Sequence, residues 1–483
     1  MPDPLAERAH VLDALRTALT EAERYLSALD AAPARRADAL AVAEGLGGAL
    51  PEQGVGALAA IAELARASDA ATRSSGPRFF HWVTGGATPA ALAADWLTSV
   101  YDNNAFAWES SPLGTRLEEL SIAWLKDLFG LPGSWGGVLT TGATMANFTA
   151  LAAARRWWAE QHGRDIDRDG FADLPAVPIL SSGYIHVSAT KAIAMLGMGR
   201  ERVRRLSRDD VGRLDADALE TALRDLGGAP AIVVGNAGDV NAGDFDPIAR
   251  MAELCDAHGA WLHVDGAFGL FAAVSPRTRG LVAGIENAHS VISDGHKWLN
   301  VPYDSGFAFV RDPALLAHAF ALAAPYLPGP GEHANFGMQA PEASRRARGL
   351  VVWSTLRAYG RAGYREMIER HLDLAARLAK RVDAADDMER VAEVPLNIVA
   401  FRYRPRDLTA ERLDDLNARI GVEILRDGRI YMGTTRYRGM TVFRPAIVNW
   451  RTTEKDVDLI TDVVREIGAR LALTRERSRK QAL

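Results

Sequence analysis

An apolar strand that runs straight into a lysine constrains this chain more than any other stretch. Ala288-His289-Ser290-Val291-Ile292 reads as a strand. Ser293-Asp294-Gly295-His296-Lys297-Trp298-Leu299-Asn300 follows it, and Val301-Pro302 then breaks the backbone. Lys297 thus stands at a strand end between a histidine and a tryptophan. Removing an ammonium from water is costly, so a lysine held there leans towards its neutral amine, a usable nucleophile. The chemistry that wants such an amine is imine formation with a carbonyl, the aldehyde of pyridoxal phosphate included. The bland alternative is a solvated lysine on a sheet edge.

Further stretches bear on that choice. Trp261-Leu262-His263-Val264-Asp265 is an apolar strand ending in a carboxylate, 32 residues before Lys297. A carboxylate there needs a cationic partner, and a protonated pyridine nitrogen is one. Gly137 to Asn147 reads as strand, tight turn and helix start. Gly142 permits close backbone approach, Thr144 can cap the helix, and free N–H groups at a helix start suit a phosphate. Pro178 to Ser182 is another strand, with His186 just beyond it at the start of a helix reaching Met195. A buried run, Ala231 to Gly235, precedes the Asn236–Asp246 loop and a helix from Pro247 to His258. Strands alternating with helices predict a mostly parallel sheet that binds ligands at the carboxyl ends of its strands. Asp265, Lys297, the Thr141 turn and the Asn236 loop all fall at such ends. Gly306 to Val310 reads as one more strand.

The pair HVDGAFG (from His263) and SDGHKWL (from Ser293) resembles the paired motifs of the group II pyridoxal-phosphate decarboxylases. That family includes aromatic amino acid, histidine and glutamate decarboxylases. The resemblance runs from about Ser75 into the C-terminal part. It implies an α/β chain of the fold type I PLP-dependent transferase-like class. A helical N-terminal segment (1–78) would pack on a second subunit. A large PLP-binding domain with a mostly parallel sheet (79–350) and a small C-terminal α/β domain (351–483) would follow. It further implies that Lys297 holds pyridoxal 5'-phosphate, that Asp265 faces its ring nitrogen, and that His186 and Ala267 sandwich the ring. Gly142, Ala143, Thr144 and His296 would surround the phosphate. The implied reaction is decarboxylation of an L-amino acid to an amine and carbon dioxide, by a homodimer and without a metal.

The substrate side is less determinate. Ser74 to Gly86 is rich in glycine and aromatics, which suits a cavity wall, and His81 and Trp82 are candidates there. Asn103 to Pro112 resembles the family segment that crosses into the partner's active site. Phe106 would then face the partner's substrate, while Trp108 fits a core aromatic better. These aromatics, with Phe336, favour an aromatic amino acid. Residues 321–341 read as a long loop in the place of the family's lid. The lid's proton-donating tyrosine aligns with Phe336 if there is no gap, and Tyr326 and His333 are other candidates. A missing donor would divert the product to an aldehyde through oxygen. Val240 stands where the family's loop offers a threonine. Asp294 sits oddly beside a phosphate. Arg345, Arg346 and Arg348 open a long helix, and Arg444 at a strand end reads as half of a structural ion pair. A retro-aldol lyase on the same scaffold, or a cofactor-free homologue, would share much of this pattern.

Composition narrows the class. Of 483 residues 48% are hydrophobic and 24% charged, with a net charge of -5, which gives no reason to expect nucleic-acid or membrane partners. The single cysteine, Cys255, excludes an intramolecular disulfide and fits a helix core. No secretory pattern opens the chain and no apolar run is of spanning length, so the cytoplasm is the expected compartment. Leu12, Leu15, Leu19, Leu26 and Leu29 fall on one face of a first helix that needs a partner.

Overall fold

The structure, a computed structural model, describes residues 3–325, 327, 332–406 and 408–481. Its centre is a seven-stranded sheet of β1 (Gly136–Thr140), β2 (Ile179–Ser181), β3 (Val203–Arg205), β4 (Ile232–Asn236), β5 (Trp261–Asp265), β6 (Ser290–Asp294) and β7 (Gly306–Val310). Their order is β1-β7-β6-β5-β4-β2-β3. From β6 to β3 every pairing is parallel, and β7 runs antiparallel between β6 and β1. The central strands are buried along their whole length, because crossover helices cover both faces. Register then fixes the chemistry. Asp265 lies beside Asn236 on one side and Ile292 on the other, so the carboxyl ends of β4, β5 and β6 form one rim.

A helix from Gly349 to Asp383 carries the chain away from this sheet, interrupted at Gly360 (φ 58°, ψ −174°). The long helix opened by the Arg345–Arg348 stretch is thus broken once, at the residue that tolerates that backbone. A second sheet, wholly antiparallel, contains β8 (Met388–Arg390), β9 (Phe401–Tyr403), β10 (Thr434–Tyr437) and β11 (Met440–Phe443) in the order β10-β11-β9-β8. The two hydrophobic cores divide within the long helix, Leu372 in one and Leu374 in the other. Phe80 belongs to the smaller core: its N–H donates to the Tyr431 carbonyl at 2.9 Å. The chain therefore touches the small core before entering the large one at Val83.

The first long helix, Val11–Ala28, keeps Leu12, Leu15 and Leu19 exposed, at 62%, 47% and 47%. Only Leu29, just past its end, is buried. Cys255 is buried in the Ile248–His258 helix, and burial pushes its thiol up to about 12, so it acts as a core residue. Among the described residues no helix is long and apolar enough to cross a membrane, and no cluster of side chains could hold a metal ion.

Candidate active site

Lys297 lies in a tight π-helical turn, Gly295–Leu299, directly after β6, with a non-helical backbone (φ −89°, ψ −106°). Such a conformation persists only where its surroundings impose it. Asn300, left-handed at φ 58°, donates through Nδ2 to the carbonyls of Trp298 (2.9 Å) and Val448 (3.0 Å). The Gly85 N–H donates to the His296 carbonyl at 3.0 Å, and a Cβ at Gly85 would collide with the Lys297 carbonyl oxygen. Trp298 Nε1 donates to Nδ1 of the buried His371 at 2.8 Å. The lysine's backbone is thus held from three sides.

Asp265 ends β5 and is 5% exposed. It accepts from Asn147 Nδ2 at 2.9 Å and from the Ala267 N–H at 3.1 Å. Asn147 Oδ1 accepts from His263 Nε2 at 2.8 Å, and His263 Nδ1 meets Ser290 Oγ at 2.9 Å. His263 and Asp265 share one face of β5, two residues apart, which brings both to Asn147. Burial pulls His263 down to about 4, so it is neutral and its Nε2–H points at the amide. Neither Asn147 nor His263 stood out in the sequence; the period-two spacing from Asp265 was the available signal. His186 caps the Val187–Met195 helix, its Nδ1 accepting from the Ser188 N–H at 3.2 Å. Burial lowers its pKa, the Asp265 charge opposing, so the ring is neutral near pH 7.

The Ala143–Gln161 helix starts at Gly142 (φ 141°) with no side-chain cap. A Cβ at Gly142 would lie 3.3 Å from His296 Cε1 and 3.8 Å from Asp294 Oδ1, so glycine lets both side chains reach the helix start. His296 stacks on Tyr303 with ring centroids 4.0 Å apart, and the Tyr303 hydroxyl meets Thr84 Oγ1 at 3.2 Å. Asp294 Oδ2 lies 3.9 Å from Lys297 Nζ.

Lys297, Asp265 and His186 face a cavity of about 180 Å³ whose walls also include Trp82, Tyr184, Val240, Ala267, Phe268 and Arg444. Of the four substrate-side candidates only Trp82 is on that wall. His81 packs behind it, between Trp82 and Tyr431, and burial pulls the imidazole down to about 4. Phe106 and Phe336 are buried away from this cavity, where the Gly337 backbone packs on the Phe106 ring. Phe336 sits on a short helical turn (Phe336–Met338), 5.6 Å below the Arg345 guanidinium. Arg345 itself is fully buried against Glu118 at 2.8 Å, a structural pair. Arg346 pairs with Asp95, and Arg348 with Asp304. Tyr326 lies outside the described residues. The expected structural ion pair of Arg444 is not found. Among the described residues no carboxylate lies within ion-pairing distance of it, and its Nη1 is buried without a hydrogen-bond partner. The acid whose charge acts on it, Asp239, instead accepts from the Asn241 and Ala242 N–H groups with Oδ2 and from Asn241 Nδ2 with Oδ1 at 3.4 Å.

The profile of the pyridoxal-dependent decarboxylase conserved domain matches residues 66–404. The chain belongs to the pyridoxal-dependent decarboxylase family. An aromatic-L-amino-acid decarboxylase of Bacillus atrophaeus is 30% identical over 406 residues, 82% of each chain. An L-2,4-diaminobutyrate decarboxylase of Rhizobium meliloti (strain 1021) is 31% identical over 430 residues, 87% of this chain and 84% of the relative. The solved structure of mouse CSAD superposes with a TM-score of 0.87 at 25% identity, covering 96% of this chain and 99% of that one. Oryza sativa TDC with PLP and tryptamine has a TM-score of 0.88 at 24% identity, covering 96% and 98%, which supports the fold. This decarboxylase is therefore a pyridoxal-phosphate-dependent carboxy-lyase. Its residues fit the cofactor. An uncapped helix start opened by Gly142 suits a phosphate, a satisfied carboxylate at Asp265 suits a protonated ring nitrogen, and the Lys297 amine lies in the same cavity.

Proposed function

We propose that this decarboxylase converts an aromatic L-amino acid to its amine and carbon dioxide, with Arg444 receiving the substrate's α-carboxylate. The unpartnered Nη1 of Arg444 in the Lys297 cavity is the observation that carries this reading. Lys297 and Arg444 are the cations among the described wall residues. Lys297 would bond the cofactor's aldehyde. Arg444 would then serve the carboxylate that every amino acid has, leaving no cation for an acidic side chain. Asp265 is committed to the ring nitrogen, so no wall carboxylate remains for a basic side chain either. Apart from Asn236 the rest of the wall is apolar or aromatic, with Trp82, Tyr184, Phe268 and Val240 the main contributors. The aromatic-L-amino-acid decarboxylase among the relatives points the same way, and the diaminobutyrate decarboxylase does not.

Bound in this cavity, pyridoxal phosphate supplies the sink for the electron pair left at Cα when carbon dioxide departs. The chain's own groups set up that step. Asp265, oriented by Asn147, would hold a proton on the ring nitrogen. Ala267 and neutral His186 would pack against the ring. Lys297 Nζ, in the same cavity, would return a proton to Cα. Gly142, Ala143 and Thr144 offer N–H groups to the phosphate.

Phe336 gives no support to an aldehyde product. It is buried beneath Arg345 and beside Phe106, so it does not fill a donor's place on the cavity wall. The leucine face of Val11–Ala28 supports a homodimer, in which Phe106 would meet the partner's substrate. The test is a panel of the common amino acids plus 2,4-diaminobutyrate, scored for carbon dioxide, amine and peroxide. Aromatic substrates should lead, with one amine per carbon dioxide and no peroxide. Faster turnover of glutamate or diaminobutyrate would sink the aromatic reading. Arg444→Gln should raise KM for all α-carboxylate substrates by about tenfold or more.

A further inference from the structure

At the phosphate end, the side chains of Asp294 and His296 form a pair with an unfilled need. Asp294 is 2% exposed, and its Oδ1 has no hydrogen-bond donor. The buried Nδ1 of His296 likewise has no hydrogen-bond partner. The two atoms are 3.1 Å apart, close enough to share charge but misaligned for a full hydrogen bond. Both side chains abut Gly142 at the start of the Ala143–Gln161 helix.

The surroundings supply little else. Lys297 Nζ, 3.9 Å from Asp294 Oδ2, is the nearest cation, and it commits its nitrogen to the cofactor's aldehyde. β7 sets Gly306 opposite Asp294, where a Cβ would strike the Gly142 backbone, so no side chain helps from that position; Ser305, the residue before β7, brings a buried hydroxyl that has no hydrogen-bond partner and is not ionisable. The helix start offers Gly142, Ala143 and Thr144, none of them ionisable. Tyr303 covers the other face of the imidazole. Burial raises its hydroxyl's pKa, with the Asp294 charge adding to that rise, so it stays a neutral phenol. A buried carboxylate beside a doubly charged phosphate, with one imidazole between them, is heavily penalised unless a proton sits in the pair.

We propose that Asp294 and His296 together take up one proton from solvent as the cofactor's phosphate binds, so that the pair is a proton-coupled phosphate receptor. The proton belongs to the pair rather than to either residue. With it, the imidazole donates towards Asp294 on one side and is free to donate to a phosphate oxygen on the other. Without it, the phosphate meets an uncompensated carboxylate. By linkage, binding that takes up a proton weakens as pH rises. The consequence is a cofactor that is held firmly at neutral pH and loosened in alkali, by residues that do not touch the reacting bonds. Asp294 is a positioning residue here. The proposal rests on the cofactor's phosphate lying at this helix start.

The test measures binding without turnover. The apo full-length protein is titrated calorimetrically with 4'-deoxypyridoxine 5'-phosphate, and every protein compared, the one with the wild-type Asp294–His296 pair included, carries Lys297→Met, so that neither an aldehyde nor a free Lys297 amine contributes. Titrations in two buffers of different ionisation enthalpy count the protons taken up between pH 7 and 9. Protonation of the probe's ring nitrogen against Asp265 is common to all of these proteins and cancels in the difference. The protein with the wild-type pair should take up close to one proton more than Asp294→Asn over part of this range. There its Kd should climb relative to that of the variant by up to about tenfold per pH unit. His296→Gln should lose the same proton. Equal uptake with the wild-type pair and with Asp294→Asn overturns the proposal, as does uptake that persists in His296→Gln. Pyridoxine, lacking the phosphate, should show no such difference; if it does, the proton belongs to the ring end. Failure of the protein with the wild-type pair to bind the phosphorylated probe would instead overturn the placement of the cofactor. Far-UV circular dichroism of each variant separates these outcomes from misfolding, which the isosteric Asn substitution is chosen to avoid.

Discussion

Asp265 and Asp294 end neighbouring parallel strands, β5 and β6, and both carboxylates are nearly inaccessible, yet they are treated in opposite ways. Asp265 accepts from Asn147 and the Ala267 N–H, with His263 and Ser290 fixing Asn147 behind it. Asp294 has an imidazole at 3.1 Å, an amine at 3.9 Å and one orphaned oxygen. A carboxylate that is already satisfied stays ionised and can receive one more donor at a fixed angle, which is what a ring nitrogen's proton requires. A carboxylate left short is costly by itself and becomes useful only when a proton arrives with its ligand. One end of the site is built for orientation, the other for an exchange of charge.

The first way to break this comparison is at the residue between the two ends. Lys297→Ala should abolish turnover, and borohydride reduction of the wild-type holoenzyme should fix the cofactor to Lys297. Label found on exposed Lys191 instead would dissolve the site as described. Next in size, Asp265→Asn should cut kcat by about two to four orders of magnitude with the fold intact, since in the proposed reading it removes the charge that would keep the ring nitrogen protonated. Near-normal turnover would mean that the ordered end is not the ring end.

A smaller effect tests the orienting network itself. Asn147→Leu leaves Asp265 Oδ2 and His263 Nε2 without their partner, and should lower kcat by about tenfold to a hundredfold while costing about 1–3 kcal/mol of stability. Loss of stability alone, with kcat unchanged, would reduce Asn147 to a packing residue. The smallest effect is on pH and folding. Burial holds His263 at about 4 and His371 at about 3, whereas an unfolded histidine titrates near ~6.5. Between those values the unfolded chain binds protons that the folded one refuses. Stability is therefore full above about pH 6.5 and falls as pH drops towards 4. Thermal melts of the holoenzyme should show a Tm lower by about a few degrees at pH 5 than at pH 7. A Tm unchanged over that interval would mean that these rings are hydrated.

Much of this was legible in the chain itself, for identifiable reasons. Buried strands announce themselves by apolar runs, and a polar residue at the end of one is conspicuous, so the placing of Lys297, Asp265 and the Gly142 turn at strand ends could be read directly, while the roles proposed for them came from the paired motifs. His186 was a lone histidine until the paired motifs gave it a context. Asn147 and His263 stayed hidden because each sits inside a regular element, one on a helix and one mid-strand, where a polar side chain has many ordinary uses. Arg444 was misjudged: an arginine at a strand end usually finds a carboxylate, and here Asp239 had already been taken by backbone N–H groups. Phe336 was placed by counting along a loop, where spacing carries no geometric information. The structure puts it in the protein's interior instead.

The lock around the lysine turn limits how this enzyme can move. Asn300 donates to the Val448 carbonyl and accepts from the Trp450 N–H. Asn449 Nδ2 donates to the Ser75 and Gly76 carbonyls, and the Asn449 carbonyl meets His371 Nε2 at 3.0 Å. The lysine turn, the long helix, the Ser75–Gly76 segment and the segment after β11 are thus pinned at one point. A hinge that swung the two cores apart would have to break this knot and release the backbone that aims Lys297. Admission of substrate must therefore come from side chains and loops at the rim, such as exposed Trp82, while the junction beneath them stays rigid through each catalytic cycle.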